Sequence, residues 1–112
     1  MKGPLPLDMQ GPYPLEWVDY FVSDAQKPGV FILSQDGKVH QFIGRADASL
    51  GETIKERAKR GNYSFFWFKY VDSPQEAFYT ECHWWHLFNP PHSPAHPSPP
   101  AGTDLKCPEC AS

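Results

Sequence analysis

Long apolar runs are missing from this chain of 112 residues, and nothing in it approaches the roughly 20 consecutive apolar residues that a membrane-spanning helix requires. No membrane partner is therefore expected. The opening Met1-Lys2-Gly3-Pro4-Leu5-Pro6 lacks the apolar core of a secretory signal, so a cytoplasmic location is expected. Cysteine is scarce and odd in number, at three residues, which argues against a disulfide framework and for metal or redox chemistry. Excess positive charge is also absent. A formal charge of −3 excludes whole-surface attraction to nucleic acid, so any phosphate contact must come from a local patch. No internal repeat is visible, and the length suits one domain with a small core.

Aromatic residues, in contrast, are plentiful: four Trp, five Tyr and eight Phe argue for a packed interior. The 13 prolines fall outside the periodic segments. Residues 1–14 hold Pro4, Pro6, Pro12 and Pro14 and read as an extended arm. The following Leu15-Glu16-Trp17-Val18-Asp19-Tyr20-Phe21-Val22 fits either a short helix or an edge strand. Residues 1–27 thus form an N-terminal arm with a packing segment.

The core is expected over residues 28–89. Gly29 to Ser34 is a buried-strand run, Asp36-Gly37 is a turn signal, and Lys38 to Gly44 returns as a second strand. Ser49 with Glu52 three residues on has the form of a capping box, opening a helix that should run to Arg60 before Gly61-Asn62. Ser64 to Val71 is apolar on both alternating faces, as a central strand covered by helices would be. Asp72-Ser73-Pro74 then opens a second helix reaching about Phe88. The fold class is accordingly α/β in the α+β sense: a small three-stranded antiparallel sheet flanked by helices. Residues 90–112 form a proline-rich, polyproline-like strap and a terminal knuckle packing on the core.

Metal-ligating residues concentrate near the end. Cys82 and His86 are four apart on the second helix and share a face, while Cys107-Pro108-Glu109-Cys110 supplies two thiolates from a tight turn. Cys82, His86, Cys107 and Cys110 are the expected ligands of a structural zinc, with His96 on the strap as the alternative to His86. A redox role would place Cys107 at a helix N-terminus after a strand, and the sequence offers no such context. Closed four-ligand coordination leaves no place for water, so the zinc should stabilise rather than catalyse.

The order hairpin, helix, strand, helix, with Gly29-Val30-Phe31 opening one strand and Phe42-Ile43-Gly44 closing the next, resembles the GIY-YIG nuclease superfamily over roughly residues 28–89. That resemblance implies a domain whose later helix carries a cation-binding glutamate, here Glu81 in Ala77-Phe78-Tyr79-Thr80-Glu81, with Mg²⁺ as the ion. It also implies degeneracy. Both motif tyrosines are replaced, by Phe31 and Phe42, and Thr53 stands at the arginine position. Losing one acid–base group costs on the order of 10²- to 10⁴-fold, so nuclease activity is expected to be lost or much reduced. A relocated catalytic set of Arg57, Arg45 and His40 around Glu81 is the alternative, giving a divergent Mg-dependent endonuclease.

Lys55, Arg57, Lys59 and Arg60 crowd the end of the first helix beside Tyr63 and form the candidate patch for nucleic acid, with Tyr63, Trp84 and Trp85 available for stacking. Cations at a helix C-terminus also have a purely electrostatic reason to be there. Nucleic-acid binding is the first expectation. A zinc-stabilised adaptor that offers its proline-rich segments to a protein partner is the other.

Overall fold

The computed structural model describes residues 9–23 and 26–110; Pro4 and Pro6 of the expected arm lie outside them. The elements in chain order are β1 (Gln10–Pro14), a 3₁₀ turn (Leu15–Trp17), α1 (Val18–Phe21), β2 (Gly29–Ser34), β3 (Phe42–Ala46), α2 (Leu50–Ala58), β4 (Phe65–Tyr70), α3 (Pro74–Phe88) and a second 3₁₀ turn (Pro108–Cys110). The strands form one antiparallel sheet in the order β1-β4-β2-β3. The sheet therefore has four strands rather than the expected three. The additional strand comes from the proline-rich arm, where Tyr13 and Pro14 pair with Phe66 and Phe65. Proline is tolerated there because an edge strand needs hydrogen bonds on one side only. The ambiguous segment after it is helical, as the 3₁₀ turn and α1.

Both inner strands are apolar on each face and thus divide their side chains between two cores. Phe31, Leu33, Phe66 and Phe68 pack with Val18 and Val22 of the α1 region and with Leu50 and Ile54 of α2. Val30, Ile32, Ile43 and Trp67 pack against Ala77 and Trp84 of α3. A third small cluster lies farther out on α3, where Phe78 and Cys82 meet Cys107, with Leu105 against them. The chain end thereby covers a helix face that would otherwise be wet.

Two local expectations are corrected. The hairpin does not turn tightly at Asp36-Gly37 and resume at Lys38; β3 begins only at Phe42. The Asp36 carboxylate accepts from the backbone N–H groups of Lys38 and Val39 at 2.8 and 3.0 Å, and the Ser34 hydroxyl accepts from Gly37 N–H at 3.0 Å. These side chains take donors that a longer ladder would have used. The backbone bonds from Val39 and Lys38 also hold the Asp36 carboxyl below its ordinary value.

Nor does Ser49 form a capping box. Its backbone is left-handed at φ 57°, its side chain makes no cap bond, and Glu52 lies 3.5 Å from Lys55 instead. Helix α2 ends at Ala58, two residues short of Arg60. The reciprocal cap occurs on α3, where the Ser73 hydroxyl accepts from Glu76 N–H and the Glu76 carboxylate accepts from Asp72 N–H.

The strap runs along the outer edge of β3. The Ser93 hydroxyl accepts from Ile43 N–H at 3.0 Å and donates to Ile43 C=O at 3.2 Å, and His92 N–H donates to Gln41 C=O at 2.7 Å. Trp85 Nε1–H donates to Ser93 C=O at 2.7 Å, fixing the strap to α3. An edge that could template pairing with another chain is thus closed by the protein itself.

Candidate functional site

Four ligand-type side chains converge where the strap, the C-terminal turn and the end of α3 meet. Donor atoms of His86, His96, Cys107 and Cys110 all lie within 4.8 Å of one another. The 3₁₀ turn, closed by Cys110 N–H to Cys107 C=O at 3.2 Å, aims both sulfurs at one point. Ligands about 2.0–2.3 Å from a tetrahedral ion stand roughly 3.3–3.8 Å apart. His86 Nε2 and His96 Nε2 are each 3.2 Å from Cys110 Sγ, close to that spacing. His96 Nδ1 lies 2.8 Å from Pro97 C=O, which can only accept. The proton is therefore on Nδ1, and Nε2 presents its lone pair to the cluster, as a backbone carbonyl behind a ligating histidine arranges. The residues present can hold a metal.

This set contains both histidines and omits Cys82. The expected Cys82–His86 helix pair is split by depth: Cys82 is fully buried behind the cluster, beside Phe78 and Cys107, while His86 is exposed. His96 takes the fourth position, and Cys82 backs the group. Burial raises the Cys82 thiol, and the Cys107 sulfur beside it raises it further. Burial acts on Cys107 in the same direction but is outweighed there. Hydrogen bonds from Cys82 and from the backbone N–H groups of Glu109 and Cys110 lower the Cys107 thiol below its ordinary value. Of the two thiols, Cys107 is the more acidic.

A second constellation surrounds the edge of β3. Arg45 donates from one terminal nitrogen to Glu81 Oε1 at 2.8 Å and from Nε to Asp47 Oδ1 at 2.9 Å, and it also reaches Ser98 C=O on the strap. The Arg45 and Glu81 side chains are only 14% and 12% exposed. Burial raises the Glu81 carboxyl above its ordinary value, and Arg45 offsets part of that rise. On Arg45 the two carboxylates outweigh burial and strengthen its hold on the proton. Glu81 is therefore already engaged. Among the described residues it belongs to no group of three potential metal ligands.

Phe42, Ile43, Gly44, Arg45, Asp47, Arg57, Glu81 and Ser98 enclose a cavity of about 250 Å³ here. Gly44 is required at its edge, because a Cβ would stand 2.6 Å from the Phe31 ring. Phe31 is fully buried. Phe42 lies under the Arg57 guanidinium, 5.5 Å from ring centroid to Cζ.

His40 is not part of this site. It stacks on Phe88 at 4.0 Å and lies 4.4 Å from Trp67, five residues along the chain from Arg45, or roughly 16 Å if extended. Burial lowers its pKa. Of the relocated catalytic set, Arg45 bonds Glu81, Arg57 lines the same cavity without pairing with it, and His40 lies away.

The basic patch is also divided. Lys55 is held by Asp19 at 2.8 Å, tying α2 to α1. Arg57 and Arg60 line a separate cavity of about 160 Å³ with Phe42, Tyr63 and His92, and Lys59 stays on the exposed surface. Trp84 is buried, and Trp85 is bonded to the strap and flanked by His86 and His96, so only Tyr63 of the expected stacking residues borders the patch. No helix among the described residues is long and apolar enough to cross a membrane. Compared with family models, curated proteins and solved structures, the chain matches none.

Proposed function

We propose that this chain is a zinc-clasped domain that binds nucleic acid along the edge of β3 without cleaving it efficiently, in keeping with a degenerate GIY-YIG-like core. The observation that carries this reading is the state of Glu81. The carboxylate at the position the resemblance gives to the cation is buried and bonded to Arg45 at 2.8 Å, within a groove that retains basic residues. Mg²⁺ there would have to bind beside the Arg45 guanidinium, a like charge that already holds Glu81 Oε1 in a charge-assisted hydrogen bond. Phe31 and Phe42 offer no hydroxyl to activate water. Phosphodiester hydrolysis by one metal needs both an open Lewis acid and an activated nucleophile.

Zinc at His86, His96, Cys107 and Cys110 has a mechanical role in this reading. Tetrahedral closure supplies folding free energy and fixes the strap against α3. The groove then offers Arg57 and Arg60 to phosphate. A second reading, a protein adaptor, draws on a different surface: Trp17 and Tyr20 are 49% and 71% exposed and stand edge to face at 6.0 Å, an aromatic patch suited to a proline-rich partner.

The test is zinc quantification followed by binding and cleavage of branched and single-stranded DNA and RNA, with and without Mg²⁺. The expected result is one zinc per chain, salt-dependent binding that Arg57→Ala weakens, and no cleavage above background. Cleavage abolished by Glu81→Ala would overturn the inactive reading. Absence of binding to every nucleic acid would leave the adaptor.

A further inference from the structure

The cavity between the end of α2, Tyr63 and the strap differs from its neighbour in one decisive respect. Arg57, Arg60, Phe42, Tyr63 and His92 line it, and no carboxylate does. In the adjoining 250 Å³ cavity the charges of Arg45 and Arg57 are matched by Asp47 and Glu81. Among the described residues neither Arg57 nor Arg60 forms an ion pair. Arg57 and Arg60 thus both face one small cavity with no carboxylate on its walls, and an anion bound there would relieve their mutual repulsion.

The third wall is a preformed donor. Tyr63 Oη and His92 Nδ1 are 2.8 Å apart. If the hydroxyl donates, neutral His92 carries its proton on Nε2. If His92 Nδ1 donates, the Tyr63 hydroxyl proton is free. Either arrangement leaves the pair with one donor to spare. The ring is also held in place: a Cβ at Gly61 would stand 2.5 Å from Tyr63 Cε2, so glycine lets the chain fold under it. His92 is placed independently by its N–H bond to Gln41 C=O.

We propose that this cavity is a subsite for a phosphomonoester, and that it takes the terminal phosphate of a nucleic-acid strand. At about 160 Å³ it has room for a single tetrahedral oxyanion. Guanidiniums match phosphate oxygens in a bidentate fork, and a terminal phosphate carries close to a second negative charge at neutral pH that an internal diester lacks. Phe42 supplies an apolar wall for the adjoining sugar or base. The neutral cavity next to it offers no such attraction, so the anion should settle at the Arg60 end. The identity of the strand rests on the nucleic-acid reading above; the anion site does not.

Two probes separate them: inorganic phosphate titrated into labelled protein with His92 and Tyr63 ring signals followed by NMR, and matched oligonucleotides with 5′-phosphate, 3′-phosphate or hydroxyl ends. The expected result is saturable shifts of both rings with inorganic phosphate, and roughly tenfold tighter binding of one phosphorylated end. Arg60→Gln should remove that preference and Tyr63→Phe reduce it. Lys59→Gln, which deletes an equal charge outside the cavity, should preserve it.

Equal affinity for all three ends, with no ring shifts, overturns the subsite while leaving general nucleic-acid binding intact. Ring shifts with inorganic phosphate but no oligonucleotide binding uphold the anion site and defeat the strand assignment. Equal effects of Arg60→Gln and Lys59→Gln overturn the geometric argument in favour of diffuse charge.

Discussion

Replacing Arg45 by Met isolates the role assigned to Glu81. Methionine keeps an apolar stem near Phe78, whose ring centroid lies 5.5 Å from the guanidinium carbon, but it removes the cation. Glu81, 12% exposed in its side chain, is then a buried carboxylate without its partner. Breaking a fully buried pair costs about 3–5 kcal/mol; slight water access to both side chains places the expected loss at about 2–4 kcal/mol. In a domain of this size that is roughly 10 °C or more in Tm.

The pH dependence gives a sharper signature. Burial raises the folded-state pKa of Glu81, and losing Arg45 removes the largest opposing influence. A carboxyl whose folded pKa is raised contributes stability below its unfolded value that is lost as pH rises through the folded value. The Arg45→Met penalty should therefore be smaller near pH 5 than near pH 7.5. Urea unfolding of zinc-loaded protein, followed by tryptophan fluorescence at both pH values, reads this directly. Adding Glu81→Leu should recover most of the loss, since two apolar residues restore a satisfied interior. A penalty equal at both pH values, or a double variant no better than the single one, would refute the account.

Two further outcomes are expected. The Cys107→Ser/Cys110→Ser variant retains Cys82 as its one thiol, because the chain has three cysteines; with the tail no longer clasped over α3, labelling of Cys82 should be at least about tenfold faster than in zinc-loaded wild type after its other two thiols are accounted for. Unchanged protection would show that the tail, through Leu105, covers Cys82 without the clasp. His40→Phe should flatten part of the acid sensitivity of folding. Burial against Trp67 and Phe88 depresses the folded pKa of His40, so its contribution is present above about 6.5 and is lost as pH falls through the folded value. Parallel urea-midpoint profiles for the two proteins between pH 7.5 and 5 would contradict this.

What could be read from the sequence follows from which interactions are local. The apolar runs at 29–34 and 65–70 announce the two inner strands, and Ser73-Pro74 with Glu76 marks the start of α3, because burial period and capping are written in neighbouring residues. β1 was illegible as a strand: its four-proline context reads as an arm, and only the tertiary partner Phe65–Phe68 makes it an edge. Ser34 and Asp36 hid the long hairpin loop for a similar reason, since Asp-Gly signals a tight turn unless side chains claim its donors. The histidine–cysteine cluster is legible in composition, but its depth is not. Spacing put Cys82 and His86 on one face, but whether Cys82 is a ligand or a buried neighbour depends on where a strap ten residues beyond His86 returns His96.

That strap also explains why the clasp and the groove are not separate devices. His92 walls the 160 Å³ cavity, Ser93 closes the edge of β3, His96 joins the histidine–cysteine cluster, and Ser98 C=O receives Arg45. One short, proline-rich segment thus carries a contact to each feature. Proline has a specific use here. It supplies few backbone donors that would need partners, and it costs less entropy to order than a flexible linker. A strap that must lie across a sheet edge, reach a metal cluster and hold a cavity wall, with little secondary structure of its own, is the setting in which that composition is stabilising.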